Sequence, residues 1–160
     1  MPTQLVKLNT TRATVSVSIT DFLAVKPELA YDHLIDEASA TYGVDAALIK
    51  AVMRTESAFN PVAQSPAGAQ GLMQLMPDLA VEMGVTDVFD PRQNIMAGAK
   101  YLRQLLDATS GSIPLTLASY NAGPGNVARY KGIPPFAETR NYVKKITALL
   151  AEDERHAATD

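Results

Sequence analysis

The chain of 160 residues has the length of one domain and leaves no room for two of ordinary size. Its 14 Lys and Arg residues against 17 Asp and Glu residues give a net charge of −3, which argues against a general nucleic-acid binder. The absence of cysteine excludes disulfides, thiolate zinc sites and cysteine nucleophiles. Because the two histidines, His33 and His156, are isolated, we do not expect a multi-His metal centre, and we expect no cofactor.

Residues 1–26 differ in pattern from the rest of the chain. From Ala13 to Ile19 apolar residues alternate with Ser and Thr, which is typical of a half-buried strand. No second strand is evident in the sequence, so we predict either a loosely ordered leader or a single strand whose edge pairs with another protein. No apolar run approaches the roughly 18 residues of a membrane span, and the first thirty residues lack the apolar core of a signal peptide.

From Pro27 onward the apolar periodicity is helical, which predicts an all-α domain over residues 27–151 followed by a charged tail over residues 152–160. Gly43 should end the first helix, Asp45 should cap the second, and Asp90 followed by Pro91 should open a later one. We predict five helices in all: from about Tyr31 to Tyr42, from Asp45 to about Phe59, from Pro91 through Leu106, from about Pro114 to Ala122, and from Glu138 to the tail.

Glu56 is the first candidate for chemistry. It follows Leu48 and Val52 at intervals of four residues, so its carboxyl group should lie on the apolar face of its own helix. Apolar surroundings disfavour the charged form and raise the pKa of a carboxyl group, as a general acid near neutral pH requires. The alternative is a glutamate near a helix end that simply reaches solvent.

Three other segments carry polar groups that could bind a ligand. The small-residue loop from Ser65 to Gln74 permits close approach of a ligand and offers hydrogen bonds at both ends. Tyr120 and Asn121 stand at a helix end beside a glycine, where they also suit a buried tyrosine and a helix stop. Glu138 opens the last helix, where a carboxylate also suits the helix dipole. The methionines Met73, Met76 and Met83 are most simply core residues.

Taken together and in this order, these segments resemble the soluble lytic transglycosylases, bacterial enzymes that cleave peptidoglycan with a lysozyme-like, mostly helical domain. The matching motifs span about residues 30–150 and are Thr55–Pro61, Ser65–Pro77, Tyr120–Gly125 and Glu138–Val143. The resemblance implies that Glu56 is the catalytic acid and base. It also implies that the saccharide is bound by Ser65, Met73, Gln74, Tyr120 and Asn121, with Glu138 in a supporting role, and that Asn94, Gly98, Tyr101 and Leu102 are scaffold.

The expected activity is cleavage of the β-1,4 bond between N-acetylmuramic acid and N-acetylglucosamine without water, which leaves 1,6-anhydro ends. A goose-type lysozyme with water as acceptor, and a non-catalytic glycan-binding module of a secretion system, are the alternatives. The resemblance further implies a monomer in the periplasm or cell envelope that acts on peptidoglycan strands, alone or with a secretion, flagellar or other envelope apparatus. A basic segment over residues 129–145 could attract peptidoglycan carboxylates.

Overall fold

A computed structural model describes residues 5–10, 13–18 and 26–159 of the chain. At its N-terminal end, strand β1 (Leu5–Thr10) pairs antiparallel with strand β2 (Ala13–Ser18), with Leu5 opposite Ser18 and Thr10 opposite Ala13. The strand prediction is confirmed for Ala13–Ser18, while Ile19 lies outside the described residues. The prediction that this strand has no partner in the chain is wrong. The hairpin was not predicted because β1 alternates only over the four residues from Val6 to Asn9, and the intervening Thr11 and Arg12 carry no Asn-Gly or Asp-Gly signal.

The segment from residue 26 to residue 159 is helical, as predicted. A 3-10 turn at Pro27–Leu29 precedes seven α-helices. They are α1 (Asp32–Tyr42), α2 (Ala46–Ser57), α3 (Pro77–Glu82), α4 (Pro91–Ala108), α5 (Ile113–Ala122), α6 (Pro124–Tyr130) and α7 (Ala137–Thr159). In this part of the chain no helix is both long and apolar enough to cross a membrane.

The predicted helix ends follow the local capping chemistry. Gly43 adopts a left-handed conformation after α1, and the Asp45 side chain accepts a hydrogen bond from the backbone N–H of Ala47 at the start of α2. The Asp90 side chain accepts one from the backbone N–H of Gln93 at the start of α4, 2.9 Å away. The start of α5 is capped in the same way by Ser112. The predicted ends at Gly43, Asp45 and Asp90 are confirmed because short-range hydrogen bonds decide them, whereas the cap at Ser112 was not predicted.

Three features of the helices differ from the predictions. The short helices α3 and α6 were not predicted, since six or seven residues show too little periodicity to be recognised. Helix α2 ends at Ser57, two residues before the predicted end, because Ala58 and Phe59 adopt positive φ angles of 49° and 64°. Helix α7 continues through the charged tail as far as Thr159, so that segment is helical.

Helix α2 lies at the centre of the core. Its residues Leu48, Ile49, Val52 and Met53 are at most 2% exposed. Helices α1 and α7 pack against α2, α4 packs against α1 and α5, and α5 packs against α7. Burying each of these large apolar side chains contributes about 1.5–3 kcal/mol. The last turn of α2 is therefore held rigidly where it emerges from the core.

Candidate active site

Glu56 lies in the last turn of α2, directly beyond the buried Leu48 and Val52 on the same helix face. The carboxyl group is partly buried, as this spacing predicted, and it reaches a groove at the surface. Helix α2 stops one residue later, and the left-handed backbone at Ala58 turns the chain away from the carboxyl group. The core thus places the Glu56 carboxyl group at the edge of an open space.

The surroundings of Glu56 raise its pKa from the ordinary value of 4.5 to about 7. Burial is the largest cause, since the charged form loses hydration. The Tyr142 hydroxyl opposes this effect by interacting favourably with the carboxylate, and the negative charge of Glu138 adds to it. The predicted direction is confirmed. A group with this pKa is protonated often enough near neutral pH to donate a proton and can then accept one.

Tyr142 modifies this acid, a role that the sequence did not reveal. Its side chain is 7% exposed, and its hydroxyl is the buried side-chain atom that makes no well-formed hydrogen bond among the described residues. Burial raises the pKa of Tyr142 well above its usual value, and the charge of Glu56 adds to this rise. The hydroxyl therefore stays protonated beside Glu56 and can stabilise the carboxylate.

The groove beside Glu56 has a volume of about 490 Å³. It is lined by the first three turns of α7, the ends of α2 and α5, and the long loop between α2 and α3. Six of the seven predicted site residues line it although they are far apart in sequence: Glu56, Ser65, Gln74, Tyr120, Asn121 and Glu138. The fold brings these six together; their individual roles stay predictions.

Met73 is the predicted site residue that does not line the groove. Its side chain is fully buried and lies against Gly98 of α4, where an added Cβ would come within 2.8 Å of three Met73 atoms. Met76, which the sequence placed in the core, is instead 45% exposed and lines the groove. The core position that residue type predicted is therefore confirmed for Met73, against the groove position that the resemblance implied, and it is wrong for Met76. Both stand in a loop without helical periodicity, so spacing could not tell which one points inward.

The loop before α3 is held by hydrogen bonds of its own polar residues. The Ser65 hydroxyl oxygen accepts a hydrogen bond from the backbone N–H of Ala69 at 3.0 Å. The Gln74 side-chain amide donates to the carbonyl oxygens of Ala63 and Gly71, at 3.0 and 2.9 Å. Gln74 keeps a positive φ of 52°, a strained conformation for a side-chain-bearing residue. Its amide hydrogens are thus committed to the loop, and its carbonyl oxygen accepts no hydrogen bond from the described residues.

Asn94 of α4 fastens this loop to the core. Its side-chain oxygen accepts a hydrogen bond from the Met73 backbone N–H at 2.7 Å, and its amide donates to the carbonyl oxygens of Gln70 and Val88 at 3.1 and 2.8 Å. Asn94 is 1% exposed, so these bonds are shielded from water. The scaffold role predicted for Asn94 is confirmed.

Tyr120 and Asn121 close the groove from the end of α5. The Tyr120 hydroxyl donates to the Met73 carbonyl oxygen at 2.6 Å, and its ring lies 5.5 Å from that of Tyr101. Burial, with a smaller contribution from the charge of Glu56, raises the pKa of Tyr120 well above its usual value. The Asn121 side-chain oxygen accepts from the Thr139 hydroxyl at 2.8 Å, which ties α5 to the first turn of α7. Tyr120 thus supports the loop as well as lining the groove.

Sequence reasoning missed several groove residues. Asn141, Tyr142 and Lys145 follow Glu138 at three, four and seven residues, so a helical projection from Glu138 could have found them. The others carry no such signal: Thr55, Ala67, Ala69 and Met76. Among these groove residues, Glu56 and Glu138 are the two acids, and Glu138 is exposed in the first turn of α7.

Comparison with known sequences identifies relatives of this chain. Residues 33–143 match the transglycosylase SLT domain. The soluble lytic murein transglycosylase of Salmonella typhimurium is 33% identical, in an alignment that covers 88% of this chain and 25% of that protein. The transglycosylase of Enterobacteria phage PRD1 is 43% identical over 118 residues, which cover 74% of this chain and 42% of that protein. The chain thus spans a quarter to less than half of the length of these relatives.

Solved structures give the same result for the fold. The lytic transglycosylase Slt of Pseudomonas aeruginosa, in an inactive mutant form, superposes with a TM-score of 0.71 at 33% identity and covers 76% of this chain and 23% of that one. A 70 kDa soluble lytic transglycosylase in complex with bulgecin A superposes with a TM-score of 0.75 at 31% identity, covering 89% and 26%. The predicted all-α, lysozyme-like fold class is confirmed. Because the domain match covers more than half of its residues, this chain belongs to the transglycosylase SLT domain family.

Proposed function

We propose that this chain is the catalytic domain of a peptidoglycan lytic transglycosylase, which cleaves the β-1,4 bond between N-acetylmuramic acid and N-acetylglucosamine. The observation that carries the proposal is Glu56, a partly buried acid with a pKa of about 7 at the edge of a groove. The relative named soluble lytic murein transglycosylase supports the substrate class. The catalytic domain is assigned to residues 27–151.

In the first step, protonated Glu56 donates its proton to the glycosidic oxygen, and the bond from the muramoyl anomeric carbon to that oxygen breaks. The carbonyl oxygen of the substrate's own N-acetyl group forms a bond to the anomeric carbon and compensates its positive charge. This route is one of the exceptions to the two-carboxylate scheme of glycoside hydrolysis. The interaction with Tyr142 stabilises the carboxylate that Glu56 leaves behind.

In the second step, ionised Glu56 removes the proton from the muramoyl 6-hydroxyl. The freed oxygen attacks the anomeric carbon, the bond to the acetamido oxygen breaks, and a 1,6-anhydro ring closes. No water is consumed, and Glu56 ends protonated as it began. Glu138 supports this cycle by keeping the pKa of Glu56 high enough for the protonated form to be populated at the start.

The other groove residues hold the saccharide in this proposal. The Gln74 carbonyl oxygen can accept a hydrogen bond from a sugar hydroxyl or an acetamido N–H group. Ser65 can donate its hydroxyl hydrogen, because its oxygen already accepts from the loop. Asn121 lines the same groove, and because its side-chain oxygen accepts from Thr139, its amide is left to donate to the sugar. The site of action that we propose is the periplasm or cell envelope, where peptidoglycan lies, and association with a secretion or flagellar apparatus stays a prediction.

Mass spectrometry of the products released from purified sacculi tests the proposal. We expect 1,6-anhydromuramoyl ends among the products. Glu56→Gln should lower their release by about 10²–10⁴-fold or more, since both proton transfers depend on this one residue. Mainly reducing ends would indicate a goose-type lysozyme instead. Glycan binding without any cleavage over pH 4–8 would indicate a non-catalytic binding module.

A further inference from the structure

Thr139 is a buried polar residue that takes no part in the proposed reaction. It lies in the first turn of α7, directly after Glu138, and is 2% exposed. A threonine in a helix commonly donates to a carbonyl oxygen of its own preceding turn, as Thr147 of α7 does with Val143. The Thr139 hydroxyl instead donates to the side-chain oxygen of Asn121 on α5, at 2.8 Å. Thr139 thus reaches a residue that lines the groove, although it does not line the groove itself.

The side-chain amide of Asn121 has two orientations, which differ by a half-turn and offer opposite groups to a ligand. When its oxygen is bound to Thr139, the NH2 group is left for the ligand. In the reverse orientation the oxygen would be left instead. Among the described residues no group accepts a hydrogen bond from this NH2 group, so in the observed orientation it is available to a substrate in the groove.

The buried hydroxyl of Thr139 decides between the two orientations. In the reverse orientation the Asn121 NH2 group would donate to the hydroxyl oxygen. The hydroxyl hydrogen would then have no acceptor among the described residues, because Thr139 makes no other side-chain hydrogen bond there. Leaving a buried donor unpaired disfavours a state by roughly 5- to 150-fold. The amide oxygen of Asn121 is therefore held toward Thr139.

A fixed amide orientation selects one kind of ligand atom. A sugar hydroxyl both donates and accepts, so it would bind to either orientation of Asn121. A carbonyl oxygen only accepts, so it needs the NH2 group. N-acetylated sugars carry such a carbonyl on each acetamido group, whereas deacetylated amino sugars carry an ammonium group, which only donates. Fixing the amide therefore matters for binding when the ligand atom at Asn121 is a carbonyl oxygen.

We propose that Thr139 is a positioning residue, which fixes Asn121 as a hydrogen-bond donor to an acetamido carbonyl oxygen of the saccharide. The inference rests on the proposed function, because the groove must hold an N-acetylated glycan. Thr139 acts through Asn121. It thereby favours N-acetylated over deacetylated sugars in the groove.

Thr139→Val tests the inference, because valine has nearly the same shape as threonine but no hydroxyl. Thr139→Ser keeps the hydroxyl and is the conservative variant. The matched control is Thr116→Val on α5, since Thr116 is fully buried, shares a 2.8 Å hydrogen bond with the Thr109 hydroxyl and does not line the groove. Thermal melts confirm that the variants fold. Release of 1,6-anhydro ends from sacculi gives kcat and KM for each protein.

We expect Thr139→Val to lower kcat/KM by about 2- to 10-fold, mainly through KM, because the hydrogen bond to the carbonyl oxygen is already present in the bound substrate. Thr139→Ser and Thr116→Val should keep the wild-type value. The alkaline limb of the pH–rate profile should not move for Thr139→Val. A merely structural role of Thr139 would disturb the first turn of α7, displace Glu138 relative to Glu56 and move that limb.

Binding of two soluble probes gives a second measurement, which does not depend on catalysis. The probes are the trimer of N-acetylglucosamine and the trimer of glucosamine, and titration calorimetry gives Kd for each. The wild-type protein and Thr139→Ser should prefer the acetylated trimer. Thr139→Val should lose about 2- to 10-fold of this preference, because Asn121 can then offer its oxygen to the ammonium group.

An unchanged kcat/KM for Thr139→Val, an equal loss for Thr139→Ser or Thr116→Val, or a displaced alkaline limb would overturn the inference and leave the proposed function standing. Failure of the wild-type protein to release anhydro ends would refute the proposed function, and the trimers would then decide the inference. A preference for the acetylated trimer that Thr139→Val loses and Thr139→Ser keeps supports it. No such preference in the wild-type protein, or an equal preference in Thr139→Val, refutes it.

Discussion

Replacing Glu56 by Gln should stabilise the folded protein at alkaline pH while it abolishes the proposed activity. In the wild-type protein the carboxylate is partly withdrawn from water, faces the charge of Glu138 and keeps the hydroxyl of Tyr142 as its stabilising partner. The amide of Gln has a similar shape but no charge to desolvate. The substitution therefore removes an electrostatic cost and leaves the packing of α2 unchanged.

The magnitude follows from the pKa. An increase from 4.5 to about 7 disfavours the ionised form in the folded protein by about 3 kcal/mol, since one pKa unit corresponds to about 1.4 kcal/mol. For a chain of this length, 1 kcal/mol changes Tm by roughly 2–4 °C. Because Glu56 is partly hydrated, we expect Glu56→Gln to raise Tm by up to about 10 °C.

The increase in Tm caused by Glu56→Gln should depend on pH. Between pH 4.5 and about 7 the folded protein binds more protons at Glu56 than the unfolded chain does, so the free energy of unfolding falls as the pH rises through this window. The full electrostatic cost of the Glu56 carboxylate is present above the pKa that Glu56 has in the folded protein. It is absent below the unfolded pKa, where both states are protonated. The Tm of Glu56→Gln should therefore exceed that of the wild-type protein clearly at pH 8.5 and only slightly at pH 4.5.

Circular dichroism melts of the two proteins across this pH range measure the effect. Glu152→Gln, the same chemical change at an exposed position of α7, is the matched control and should leave Tm almost unchanged. A gain of equal size at pH 4.5 and pH 8.5 would show that packing rather than charge is responsible. A lower Tm at pH 8.5 would refute the raised pKa of Glu56.

Three further substitutions test the neighbours of this acid and its scaffold. Glu138→Gln removes a like charge and should lower the pKa of Glu56, so the alkaline limb of kcat/KM should move to lower pH. Tyr142→Phe removes the hydroxyl that favours the carboxylate and should move the same limb to higher pH, with little effect on stability because that hydroxyl makes no well-formed hydrogen bond. Both are measured as pH–rate profiles on sacculi. Gly71→Ala should destabilise the fold by about 3 kcal/mol or more in urea unfolding, because φ is +81° and the added Cβ would collide with the Asn94 side chain and approach the Val88 carbonyl oxygen to 2.7 Å.

The outcomes that would contradict these predictions are distinct. Movement of the alkaline limb in the same direction for Glu138→Gln and Tyr142→Phe would mean that the two groups do not act oppositely on Glu56. A larger loss of kcat from Glu138→Gln than from Glu56→Gln would identify Glu138 as the main acid. For the scaffold, Gly84→Ala is the matched control, since its φ is also +81° but nothing lies within 4 Å of the added Cβ. If Gly71→Ala and Gly84→Ala lowered the free energy of unfolding equally, backbone strain alone, without the collision with Asn94, would account for the destabilisation.

Most of the helices of this chain could be predicted from the sequence because their signals are local. Periodicity over three or more turns marks α1, α2, α4 and α7, and the caps at Gly43, Asp45 and Asp90 mark their ends. The same periodicity placed Glu56 on an apolar face and so predicted the direction of its pKa change. Three short elements were not predicted, namely the helices α3 and α6 and the strand β1, because the pattern over six or seven residues is too weak a signal.

The candidate site depended on contacts between distant segments. Whether Met73 or Met76 turns inward is decided by the close approach of the loop to Gly98 and by the hydrogen bond from Tyr120 to the Met73 carbonyl oxygen. The pKa of Glu56 is raised to about 7 first by burial; Tyr142 of α7 lowers it and Glu138 of α7 raises it where these residues stand beside the end of α2. The sequence by itself determined which acid is available and which helix face carries it. Only the tertiary structure decided its neighbours, because hydration and charge depend on how these separate helices pack.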